Sequence, residues 1–311
     1  MAVTLWAVFT ITFILVKVAP GGPFDSEKRI PDAIKRNIEA RYRLDEPPLK
    51  QYARQLLTLV FGKLDDHLIP TTFPPHPWPD FGASLKLEDY TVNEVIAQGF
   101  PVSASLGIFA MVFALSLGMT AGVVSAVRRN SLLDVGFMAM ATLGIAVPNF
   151  VLASIAIVLL VFQIHIFEPA GWGTLKQLIL PALCLGAPFA GYIARLTRTG
   201  MMEVLSLDYI RTAYAKGLSE RRVVMRHALR GAILPVVSYL GPATAAILTG
   251  SVVLEKIFVL PGMASHFVEA AFQRDLPLVM GLTLVYTFLL FVMNTLVDVS
   301  YALIDPRVVK R

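Results

Sequence analysis

The 311-residue chain is 56% hydrophobic, carries charge on only 16% of its residues and has a formal net charge of +5. Soluble domains are about one-quarter charged, so the composition excludes an ordinary soluble enzyme and points to a membrane protein. The basic excess sits in short loops and the C-terminal tail beside apolar runs rather than on one continuous face, which argues against nucleic acid as a partner.

An apolar run of about 20 residues is what a helix needs to cross a hydrocarbon core of about 30 Å. Six crossings are expected: Ala2 to Ala19, Val102 to Val127, Val135 to Ile164, Leu178 to Arg195, Leu234 to Phe258 and Leu278 to Leu303. None shows the period-two alternation of a membrane barrel strand, so the fold class is all-α integral membrane. The first run lacks a basic leader and a small-x-small cleavage site, and reads as a retained anchor. Cys184, the single cysteine, lies inside the fourth run and reads as a small buried hydrophobe.

The expected organisation is an anchor over 1–19, an extracytoplasmic loop over 20–101, a five-helix core over 102–303 that includes a basic loop over 198–233, and a cytoplasmic tail over 304–311. The long loop carries Lys28, Arg29, Lys35, Arg36, Arg41 and Arg43, but long loops are exempt from the positive-inside rule. Helical periodicity appears from Pro31 to Phe61, through Ile34, Ile38 and Tyr42 and then Tyr52, Leu56, Leu59 and Val60. A proline-rich excursion follows from Ile69 to Pro79; His67 and His76 near it have no further ligand at metal spacing. Arg128 and Arg129, the Arg198 to Arg230 segment, and Arg307, Lys310 and Arg311 fall on alternate loops, which places them and both termini in the cytoplasm.

Pro148, Pro181, Pro188 and Gly241-Pro242 interrupt the apolar runs. Such breaks serve helix packing or shape a pathway, and the residues alone leave both open. Polar groups that could line a pathway are Ser103, Asn149, Ser154, Thr244, Thr249, Ser251 and Asn294; each is equally a packing group. Asp298 reads as a structurally partnered carboxylate near the inner end of the sixth run, whereas Glu255 and Lys256 read as an outer gate or a helix cap.

The segment from Asp208 to Pro235 is the most informative. Gly217 separates two helical stretches, Met202 to Lys216 and Ser219 to Arg230, which predicts a positive φ at the glycine and an N-cap at Ser219. Val204, Leu205, Tyr209, Thr212 and Ala213 form one face of the first arm, with Ala213 and Ala215 small enough for a partner to approach. Arg211, Lys216, Arg221, Arg222, Arg226 and Arg230 supply the charge, and His227 faces a partner or its own loop. A basic amphipathic helix lying on anionic lipid and an elbow that docks a partner both fit.

The segment resembles the EAA loop of importer-type ABC transporter permeases, in which Glu-Ala-Ala precedes a glycine and Ile-x-Leu-Pro follows it. Gly217 takes the glycine place, Arg211-Thr212-Ala213 the Glu-Ala-Ala place and His227-Ala228-Leu229-Arg230 the other. The departures are similar to the peptide-permease branch, which reads like YIRTA-x-AKGL and RHAL followed by LLP, here Ile233-Leu234-Pro235. The stretches from Ala19 to Phe24, Asp89 to Asn93, Phe100 to Ala104, Glu255 to Phe258 and Leu260 to Gly262 are similar to B-type subunits of oligopeptide permeases, as are Asn294, Asp298 and Tyr301 to Pro306. Relative to them 64–79 looks like an insertion.

The resemblance implies a six-helix importer permease of the bacterial inner membrane, non-catalytic, that translocates oligopeptides. It also implies a homologous second permease, two cytoplasmic ATPase subunits that bind ATP and magnesium, and an extracytoplasmic peptide-binding protein. The coupling residues it implies are Asp208, Tyr209, Arg211, Thr212, Ala213, Ala215, Lys216, Gly217, Arg221, Arg222, Arg226 and His227. The chain has no Gly-x4-Gly-Lys-Ser/Thr phosphate cradle, in keeping with no cofactor of its own. A dipeptide, nickel or glutathione permease of the same branch is the nearest alternative. An intramembrane hydrolase lacks a histidine facing its serines, and a passive channel lacks a charge ring or filter.

Overall fold

A computed structural model describes residues 1–18, 40, 42–62, 79–87 and 89–304, without the side chains of 248–250, 298 and 300–304. The expectations for the segment from Ala19 to Phe24, the proline-rich excursion, His67, His76, the tail cations and the side chains of Thr249 and Asp298 lie outside these residues. Among the described residues the chain is helical, with one isolated bridge between Ala83 and Thr91. The helices are α1 (Ala2–Val18), α2 (Pro48–Phe61), α3 (Val92–Val127), α4 (Leu132–Ala146), α5 (Asn149–Gln163), α6 (Leu175–Leu205), α7 (Asp208–Ala215), α8 (Glu220–Ala232), α9 (Leu234–Gly250), α10 (Val252–Ile257), α11 (Met263–Gln273) and α12 (Leu276–Ile304).

Three of them, α3, α6 and α12, are long and apolar enough to cross a membrane. The expected third crossing, Val135 to Ile164, is not a straight rod: α4 and α5 meet at 109°. Val147 is extended (φ −87°, ψ 124°) because the ring of Pro148 disfavours the helical region for its predecessor. α8 and α9 form a second bent pair, at 54°. α6 is one helix from Leu175 to Leu205 and continues well past the expected end at Arg195. Its start is fixed by a capping box, in which Thr174 Oγ1 accepts from the Gln177 N–H and Gln177 Oε1 accepts from the Thr174 N–H.

The chain divides into two compact units, residues 1–101 with 261–288 and residues 102–260 with 289–311. In the first, Phe9 and Phe13 of α1 meet Tyr52 of α2 edge-on, with ring centroids 5.4 and 5.3 Å apart, and Leu276, Met280 and Leu284 of α12 complete the cluster. Asp275 is fully buried; its carboxylate accepts from the Ser84 hydroxyl, the Leu85 N–H at 3.0 Å and the Leu278 N–H at 3.2 Å. It thereby caps α12 and ties the segment around Ser84 to it.

The core of the second unit gathers Leu106 and Ala110 of α3, Ala153 and Val161 of α5, Leu180 and Leu185 of α6, Ile247 of α9, Leu254 of α10 and Phe258 just after it. Backbones come close at small residues: a Cβ placed on Gly191 of α6 would lie 2.4 Å from the Ala141 carbonyl oxygen of α4. Helices in lipid gain most of their attraction from this close packing, since lipid tails are as apolar as leucine.

Candidate functional site

The site is the loop that leaves the end of α6. The first arm expected from Met202 to Lys216 is broken at Ser206 and Leu207. Ser206 Oγ donates to the Glu203 carbonyl oxygen at 2.6 Å, and Leu207 is extended (φ −77°, ψ 149°), which ends α6 and starts α7 at Asp208. Gly217 stands at φ +77°, in the left-handed region that favours glycine, and open space surrounds it. Its N–H donates to the Tyr214 carbonyl oxygen at 2.9 Å, closing α7. Ser219 occupies the N-cap position of α8 with extended backbone, but its side chain makes no cap hydrogen bond.

The two arms share an apolar core. Ile210 and Ala213 of α7 pack with Val223, Val224 and Ala228 of α8, Met201 of α6 and Ala126 of α3. Ile210 is 1% exposed although it lies in a loop. α8 contains a π-helical stretch, Val223–Ala228, and Val223, Val224 and Ala228 within it are buried. At Gly200 a Cβ would lie 2.7 Å from the Ala232 carbonyl oxygen, so the end of α8 rests directly on α6. The Tyr209 hydroxyl donates to the His227 carbonyl oxygen at 3.4 Å across the elbow.

This packing corrects one expectation about the first arm. Ala213 is 6% exposed and belongs to the elbow's own core, so it offers no contact to a partner. Tyr209, Arg211, Thr212, Ala215, Lys216, Arg221, Arg222 and Arg226 are exposed, and His227 is half-buried. Arg211 and Asp208 form a surface pair at 3.4 Å with both side chains mostly in solvent, which is worth little to stability. A cationic, solvent-facing surface on a self-packed elbow is therefore available for docking.

Arg198, which reads in sequence as one more surface cation, has a different place. Its Nε donates to Asp134 Oδ1 at 2.8 Å and its Nη2 to Asp134 Oδ2 at 2.9 Å. The same carboxylate accepts from the Ser125 hydroxyl and from the Asn130 N–H at 2.9 Å, and Asp134 is 4% exposed. The Arg198 side chain is one-quarter exposed, so the pair is part-buried, and loss of the guanidinium would leave the Asp134 carboxylate without its charge partner. The hint in the sequence is Asp134 itself, an acid at the start of an apolar run, immediately before Val135 and after Arg128 and Arg129.

The polar groups proposed for a pathway are scattered. Ser154 and Thr244 donate to carbonyl oxygens one turn back on their own helices, at 2.9 and 2.7 Å. Asn149 opens α5 and is half-buried, whereas Asn294 of α12 is exposed. Ser103 and Ser251 do converge, but on Glu255: both hydroxyls donate to Oε1, at 2.8 and 2.9 Å, and all three residues are buried. Glu255 is thus an interior group that links α3 to the start of α10. Among the described residues no cluster of His, Cys, Asp or Glu is placed to hold a metal ion.

Residues 118–310 match the family described as binding-protein-dependent transport system inner membrane component. The chain belongs to this family. The dipeptide transport system permease protein DppB of Bacillus subtilis is 44% identical over 99% of this permease and 94% of its own length. The oligopeptide transport system permease protein OppB of Escherichia coli K12 is 42% identical over 98% and 95%, respectively. A solved structure of the MetNI methionine ABC transporter in an inward-facing conformation aligns with a TM-score of 0.56. That alignment has 16% identity and covers 68% of this permease and 97% of that chain, so it supports the fold alone. An apolar, helical member of an ABC permease family is a multi-pass membrane protein.

Proposed function

We propose that this permease is the B-type subunit of an ATP-driven importer that carries oligopeptides across the bacterial inner membrane, with both termini in the cytoplasm. The observation that carries the reading is identity of 42–44% across nearly the whole chain to permeases named for dipeptide and oligopeptide transport. In this reading a homologous second permease completes the pathway, an extracytoplasmic protein delivers the peptide, and two cytoplasmic subunits hydrolyse ATP with magnesium.

The 206–233 elbow is the natural receiver of force. Its exposed cations and Tyr209 meet the ATPase, while its apolar core keeps the two arms together as they are displaced. Closure of the ATPase pair on ATP then moves the elbow, and helices packed at small residues pass the movement on as alternating access. Ser103, Asn149, Ser154, Thr244, Thr249, Ser251 and Asn294 remain candidate path residues, but the buried hydrogen bonds of Ser103 and Ser251 favour a packing role for that pair.

Dipeptides are the second reading, because the relative at 44% identity is named for them. Vesicles containing the reconstituted transporter, supplied with ATP and with peptides from two to several residues, separate the readings. Accumulation of the longer peptides only in the presence of ATP is the expected result. Accumulation confined to dipeptides favours the second reading, and uptake that continues without ATP defeats both.

A further inference from the structure

We propose that the Asp134–Arg198 pair is a positioning clasp that makes the α3–α4 hairpin travel with the 206–233 elbow as one rigid piece. The inference rests on the coupling role proposed for the elbow and names the residues through which force leaves it. By chain continuity the elbow is joined only to α6 and α9. A displacement delivered to it would tilt those two helices and leave the hairpin behind unless something else binds the hairpin to α6.

α4 already packs on α6 at Gly191, and α3 on α6 at Gly118 and Gly122, which resists separation; two further attachments fix the register of the hairpin at the end beside the elbow. Arg198 lies two turns before the end of α6 at Leu205, and its two parallel hydrogen bonds to Asp134, in the first turn of α4, set the angle between the groups as well as their separation. Ser125, near the end of α3, donates to the same carboxylate, Arg198 Nε also lies 3.1 Å from Ser125 Oγ, and the Asn130 N–H of the connecting turn supplies a further donor. One carboxylate therefore binds α3, the turn, α4 and α6. The second attachment is apolar: Ala126, the residue after Ser125, lies in the elbow's own core beside Met201 and Ile210.

A slip of one ångström at the clasp breaks both guanidinium hydrogen bonds and strands a charge in a site of low exposure, so the clasp holds or fails as a unit. Polar fixation on one side of the α3 terminus and apolar packing on the other leave the hairpin no plane on which to slide past α6. Lysine is a poor substitute, since a single ammonium fixes distance without angle.

The test uses the complete transporter with its second permease, ATPases and binding protein. Spin labels are attached at Leu132→Cys on α4 and Met225→Cys on α8, both exposed, while the buried Cys184 stays unlabelled. The expected label-to-label distance is the same in the nucleotide-free and ATP-bound states of a complex that imports peptide. Arg198→Lys should broaden and shift that distribution and raise the ATP hydrolysed per peptide imported severalfold. Ser125→Ala, which keeps the ion pair and removes one donor, should act in the same sense with smaller effect and serves if the lysine variant does not assemble. A distance that changes between the two states of the importing wild type overturns the clasp, as does an Arg198→Lys protein with wild-type distance and stoichiometry. Absence of any ATP-driven uptake by the unlabelled complex removes the coupling role itself, and the clasp falls with it.

Discussion

At the scale of single residues, Gly217 and Ile210 show two different ways in which a loop position becomes indispensable. Gly217 is constrained by backbone alone: φ is +77° and no neighbour lies within reach of an added Cβ. Left-handed backbone costs most residues about 1–2 kcal/mol, asparagine less, and proline cannot adopt it because its ring holds φ near −65°. Uptake per ATP should therefore fall in the order Gly217→Asn, Gly217→Ala, Gly217→Pro. In the transporter proposed above, the ATPase subunits paired with the proline variant should hydrolyse ATP with little import; a proline variant that imports normally would refute the elbow. The sequence pointed to this glycine because its neighbours carry helical patterns on both sides. Nothing comparable marked Arg198, since a cation at the end of an apolar run looks the same whether it meets water or a carboxylate from another helix.

At the scale of elements, the elbow is a small folded body rather than a pair of independent surface helices. α7 spans eight residues, too short to be stable by itself in water, so its helicity depends on Ile210 and Ala213 packing against α8. Truncating a buried isoleucine to alanine costs about 2–5 kcal/mol. Ile210→Ala should thus loosen the elbow without touching its exposed cations, and brief trypsin treatment in detergent should cut at Arg211, Arg221 and Arg222 much faster than in the parent. Unchanged cleavage would mean that the two arms are held by something other than their shared core. Sequence periodicity located both arms but placed Ala213 on the wrong side, because small residues suit a partner's approach and a tight internal contact equally well. The bend between α4 and α5 was announced by Pro148, yet a proline in an apolar run is compatible with a mild kink as well as with the 109° turn found.

At the scale of the whole molecule, large apolar side chains remain exposed along the long helices, Ile108 and Val112 of α3 among them. Such a surface is stable only against lipid or another apolar subunit. An arginine at position 108 meets hydrocarbon or a helix packed from outside, and insertion measurements put a central arginine at about 2.5–3.5 kcal/mol. Ile108→Arg should therefore lower the membrane-inserted yield sharply, whereas Arg221→Ala in the solvent-facing elbow should not. Equal yields of the two variants would show that position 108 meets water.

The chain by itself determined that it is a bundle of membrane helices, which segment turns at a left-handed glycine, and to which family it belongs. Long apolar runs and a motif around one glycine are local properties, and local properties survive in a string of letters. Tertiary structure alone decided that Asp134 answers Arg198 across 64 positions, that Ser103 and Ser251 serve Glu255, and that Asp275 holds Ser84. Each of those pairings satisfies a buried polar group with a donor from a distant part of the chain. Which donor arrives depends on how the helices cross, and spacing along the sequence does not encode that.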